Sequence, residues 1–115
     1  MKETLAFINE VLDSKKAIDI RILDISRIST FTNYFIICSG ANEKHIQTLA
    51  EEIREKLGEK GVNPAHVEGL QNASWVLLDY FDIIVHIFSI EAREYYELER
   101  LWADGAQVDI RTCMN

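Results

Sequence analysis

The chain has 115 residues, 48% hydrophobic and 27% charged, which is room for one domain with a core that needs no disulfide or metal staple. Twelve Lys and Arg, scattered along the chain, stand against nineteen Asp and Glu for a formal net charge of −7, which counts against direct, affinity-dominating nucleic-acid binding, a use that calls for a basic patch, and suits approach to a basic protein. No apolar run reaches the roughly 20 residues of a bilayer span, and the start of the chain lacks the basic and small-residue signals of a secretory leader, so no membrane association and a cytoplasmic location are expected.

Leu5, Ile8, Val11 and Leu12 form the stripe of an amphipathic helix from about Lys2 to Lys15. From Ala17 to Ile25, Ile18, Ile20 and Ile22 alternate with Asp19 and Arg21 before Leu23 and Ile25 change phase, which predicts a half-buried strand with a bulge at the phase change. Ser26 to Asn33 is rich in Ser, Thr and Asn and reads as a loop. Tyr34 to Cys38 is a continuous apolar run ending in Ser39-Gly40, the pattern of a central strand covered on both faces, with Cys38 as a small core residue. Asn42 caps a second helix whose face is Ile46, Leu49, Ala50, Ile53 and Leu57 and whose stop is Gly61. Pro64 to Glu68 suits a short edge strand. Trp75 to Tyr80 and Ile83 to Phe88 are separated only by Phe81 and Asp82, which predicts a tight antiparallel hairpin whose turn lacks Gly. Glu91 to Trp102 has helical spacing of Ala92, Tyr95, Leu98 and Leu101, and the tail adds an extended piece around Val108 and Ile110. The strand–helix–strand in the middle implies a right-handed parallel crossover, so the expected product is an α/β domain over residues 1–115, a mixed β-sheet with flanking helices.

Few constellations carry chemistry. Cys38 and Cys113 form no CxxC pair, and Cys113, near the polar tail, reads as a free thiol. His45, His66 and His86 have no metal-ligand spacing; His86, sharing a face with Ile84 and Phe88, reads as a hydrogen-bonded, partly buried histidine. The Ser39-Gly40 turn before a helix could receive an anion, but a single Gly fits a tight turn and cap better than a phosphate loop. Asp79 and Asp82, with Asp24 near them, are spaced by three across a turn; solvated acids or acids facing a basic partner fit better than a metal pair, which would be spaced by two on one strand. No metal and no cofactor are therefore expected. Tyr95, Tyr96 and Trp102 do not share one helical stripe, so part of that aromatic surface belongs at a rim or interface.

Four segments carry a family resemblance: Glu68 through Tyr80, Asp82 through Phe88, Glu91 through Trp102, and upstream Thr32-Asn33-Tyr34-Phe35-Ile36-Ile37-Cys38-Ser39-Gly40. The chain resembles the Iojap family of ribosomal silencing factors from its first helix to Trp102. It departs from the family where Phe81 replaces a common Gly in the hairpin turn and Asn33 replaces a common Asp. The resemblance implies a nucleotidyltransferase-like fold without the paired catalytic acids of those enzymes. It also implies a translational repressor, not an enzyme, that binds a large-subunit ribosomal protein at the subunit-joining face and blocks the small subunit sterically. Under that reading the expected contact residues are Trp75 and Tyr80 as apolar anchors, Asp82 facing a basic group, Tyr96 and Trp102, with Arg93 and Glu99 orienting the last helix. A homodimer through the sheet edge or the aromatic surface is also compatible with the sequence. The alternative is a nucleotidyl or phosphoryl transferase using the Ser39-Gly40 turn with Asp79 or Asp82.

Overall fold

The computed structural model describes residues 2–96 and 106–107. Helix α1 spans Lys2–Ser14 and strands β1 and β2 span Ile18–Asp24 and Tyr34–Gly40. Helix α2 spans Glu43–Glu59, and β3, β4 and β5 span His66–Glu68, Trp75–Asp79 and Ile83–Ser89. Helix α3 is described over Ile90–Tyr96 and β6 over Ala106–Gln107. The expected continuation of α3 to Trp102 and the extended piece at Val108 and Ile110 lie outside the described residues.

The strands form one mixed sheet in the order β3-β4-β5-β2-β1-β6. The apolar runs of β2 and β5 are its parallel centre, with Ile36 opposite Val85 and Cys38 opposite Ile87. Both runs are buried on both faces, as a continuous apolar strand requires. One face carries α1 and α2: Leu5, Ile8 and Leu12, with Ile46, Leu49, Ile53 and Leu57, pack on Ile36, Cys38, Val85 and Ile87. Burial pushes the Cys38 thiol up to about 12, in keeping with a core role. The opposite face holds Leu23, Ile25, Phe35, Ile37, Ile84 and Phe88, with Trp75, Leu77 and Ala92 against them.

One expectation, the place of the β1 bulge, is corrected. Ile22 and Leu23 are both buried because they serve opposite faces of the sheet. The bulge lies earlier, between Ile18 and Arg21, where Asp19 takes φ 48°. The crossover from β2 through α2 leads to β3, which runs parallel to β2 but at the far edge of the sheet. The adjacent parallel partner of β2 is β5, reached only after the β3–β4–β5 meander doubles back.

The caps follow from local chemistry. The Asn42 side chain accepts the His45 N–H at 2.8 Å, and Gly61, at φ 78°, closes α2. His45 also ties the helices together: its Nδ1 accepts the Ala41 N–H at 2.8 Å and its Nε2 donates to the Lys15 carbonyl at 2.8 Å.

Candidate functional site

Strand alternation places Trp75, Leu77 and Asp79 of β4 on the sheet face away from α1 and α2, beside His86 and Phe88 of β5. There the Trp75 indole N–H donates to His86 Nδ1 at 3.0 Å, and the Trp75 and Phe88 rings stack with centroids 4.9 Å apart. Phe35 meets His86 edge-on at 4.6 Å. Burial holds the His86 imidazole down at about 4, so it is neutral in the folded protein. With Nδ1 accepting, the proton sits on Nε2, which is buried with no hydrogen-bond partner among the described residues. His86 is hydrogen-bonded, as its neighbours in the sequence imply, but fully rather than partly buried. Gly69 presses against Trp75 from the preceding loop at φ 86°; a Cβ there would fall on the Trp75 carbonyl.

The expected contact residues fall into separate groups. Trp75 is half-buried at the β4 start, and Ala92 of α3 packs against the same apolar cluster. Arg93 is 9% exposed: its guanidinium donates to Ser39 Oγ at 3.2 Å and the Ile18 carbonyl at 3.3 Å and lies 3.5 Å from the Asp19 carboxylate. It pins α3 to the β1 bulge rather than projecting from the helix. Tyr80 and Asp82 lie at the other end of β4, roughly 17 Å along the strand from Trp75. Tyr80 is only 9% exposed and packs in the helix-covered core; burial raises its phenol to about 12, against the pull of Arg54. Asp82 is exposed, and its carboxylate accepts from Asn33 Nδ2 at 3.4 Å. The backbone of Tyr96 closes the described part of α3; Glu99 and Trp102 lie outside the described residues.

The residues of the enzymatic alternative are occupied structurally. Ser39 is buried and bonded to Arg93, and a Cβ on Gly40 would stand 2.6 Å from Ile46 Cγ1, so these two residues serve packing. Asp79 accepts the Phe81 N–H at 2.8 Å. Among the described residues no three His, Cys, Asp or Glu side chains converge as a metal site, and no helix is long and apolar enough to cross a membrane.

The expected contact residues left out Phe31, 69% exposed in the loop before β2, and Phe81, noted for its place in the hairpin turn and 69% exposed there. The signal was present in both: a large aromatic ring in a segment that has no core face to serve.

Comparison with known proteins agrees with this architecture. The family described as "Ribosomal silencing factor during starvation" matches residues 1–115. The "Ribosomal silencing factor RsfS" of Bacillus subtilis is 40% identical over 114 residues, covering 99% of this chain and 97% of that protein. The chloroplastic "Protein Iojap" of Zea mays is 32% identical over 95 residues, covering 83% of this chain and 41% of that protein. A crystal structure of a Bacillus halodurans protein superposes with a TM-score of 0.84 at 36% identity, covering 95% of this chain and 99% of that one.

Proposed function

Because this chain belongs to the ribosomal silencing factor family, we propose that it represses translation as a binding protein. It seats on a ribosomal protein of the large subunit, at the face that meets the small subunit, and excludes the small subunit by occupying that space. The observation that carries this reading is the family match over the full 1–115 span. The mechanism requires no bond to be made or broken. A contact burying about 1,600 Å² holds a partner specifically, and a rigid domain seated there is a steric obstacle.

The geometry favours adhesion over catalysis. Ser39, Gly40 and Asp79, the groups a transferase would use, are tied into packing and turn hydrogen bonds. The exposed carboxylate of Asp82 and the half-buried ring of Trp75 supply what protein contacts use, a charge to orient and an aromatic anchor. Tyr80 supports the turn from below, and Arg93 positions α3; Tyr96, Glu99 and Trp102 complete the proposed set of contact residues.

Sedimentation of the purified protein with separated ribosomal subunits tests this. It should travel with large subunits, not small ones, and reduce the yield of joined particles when both are mixed. Migration with neither subunit would end the proposal.

A further inference from the structure

The β4–β5 hairpin turns on Phe81, whose backbone takes φ 70°. The Asp82 N–H donates to the Tyr80 carbonyl at 3.0 Å and the Tyr80 N–H to the Ile83 carbonyl at 2.9 Å, so the chain reverses through a γ-turn centred on Phe81. A bulky L-residue is strained there, and Gly would adopt the same turn freely. The ring offers no compensating burial, being 69% exposed. Strain held at an exposed aromatic points to a use outside the chain's own stability.

A second exposed ring stands on the neighbouring loop. Phe31 is 69% exposed and Ile28 is 46% exposed. The two loops are fastened together: the Asp82 carbonyl accepts the Asn33 N–H at 3.1 Å and the Tyr34 N–H at 3.0 Å. Phe31 and Phe81 therefore project from one end of the sheet on loops held in fixed relation. The carboxylates of Asp24, Asp79 and Asp82 stand among these loops, and Arg27 is the only cation between Asp24 and Tyr34 or between Asp79 and Ile83.

We propose that this end of the sheet is a docking surface for a basic protein. The Phe31 and Phe81 rings enter an apolar recess on the partner while its Lys or Arg side chains meet the surrounding carboxylates. The inference adds to the reading above a second contact at the hairpin end, particular to this chain in that Phe81 stands where the family commonly has Gly, and it rests on that reading for the partner. The charge selects this occupant. A second copy of the chain would bring carboxylates against carboxylates, and lipid headgroups or RNA phosphates would meet the same repulsion.

The full-length chain carrying Phe81→Gly, Phe31→Ser or both is titrated against isolated large subunits, alongside thermal melts and size-exclusion chromatography. Phe81→Gly removes the ring and the strain together, so its Tm should hold or rise while its affinity falls about tenfold, with a larger loss in the double variant. A residue serving only the fold cannot move stability and binding in opposite directions. If the wild-type chain binds and both single variants bind within twofold of it, the docking surface is wrong and the ribosomal reading survives. If the wild-type chain does not bind large subunits, both fall. A wild-type dimer that Phe81→Gly dissolves would assign the rings to self-association and overturn the proposal.

Discussion

His86 shows how one side chain couples the sheet to pH. Its ring lies among Phe35, Trp75 and Phe88, and burial holds it at about 4 against an ordinary 6.5. The unfolded chain takes up a proton as the pH drops through 6.5, while the folded chain stays neutral until about 4. The unfolded state binds more protons across that window, so stability falls as the pH falls from 6.5 to 4 and this group adds no further loss below. The separation is worth at most about 3.5 kcal/mol. His86→Gln retains a carbonyl to accept the Trp75 indole N–H and does not titrate. Its Tm should therefore drop less than that of the wild type between pH 7 and pH 4.5; equal drops would show that His86 is not the source of the acid sensitivity. The burial of His86 was legible, since it alternates with Ile84 and Phe88. Its bond to Trp75 was not, because residues eleven apart meet only once the hairpin register is set.

At the scale of elements, the two helix stops show what sequence carries and what it hides. Helix α2 ends with the Val62 N–H on the Leu57 carbonyl at 2.9 Å and the Gly61 N–H on the Gly58 carbonyl at 2.9 Å, a motif that needs a left-handed residue, and Gly61 announces it. Helix α1 ends in the same way, with the Ala17 N–H on the Leu12 carbonyl at 3.0 Å and the Lys16 N–H on the Asp13 carbonyl at 3.0 Å. Here the left-handed position is Lys16, at φ 63°. Lys16→Gly should stabilise the protein by up to about 1 kcal/mol, the relief of a left-handed L-residue less the added entropy of glycine in the unfolded chain. A fall in the denaturation midpoint would mean that the Lys16 side chain contributes more than its backbone costs. Periodicity made both helices, the central strands and the hairpin readable. It could not locate the β1 bulge, because the visible phase change sits at Ile22 and Leu23, buried on opposite faces, while the bulge lies in the exposed stretch before them, and it could not reveal that β2 pairs with β5. Strand order is a long-range property, set by how α2 and the β3–β4–β5 meander pack.

For the whole molecule, the balance of nineteen acids against twelve bases bears on how the protein finds its partner. The family was legible because its ordered motifs run through most of the chain. The proposed contact surface was legible only in part: Asp82 was singled out, but the loop bonds that set Phe31 beside the hairpin follow from a pairing between residues 49 apart. An acidic domain approaching a ribosomal subunit meets two fields, the long-range repulsion of RNA phosphates and the short-range attraction of a basic protein surface. Salt screens the first more completely, since at 0.15 M the Debye length is about 8 Å while charges in contact are less screened. Raising salt from a low value should therefore speed association with isolated large subunits. At higher salt, dissociation should quicken as the contacts between carboxylates and cations weaken, so affinity should pass through a maximum. A protein held by RNA phosphates behaves differently, losing affinity steadily along a steep line of log K against log salt. Association and dissociation rates measured across a potassium chloride series separate the two cases, and a monotonic steep loss would place the contact on RNA.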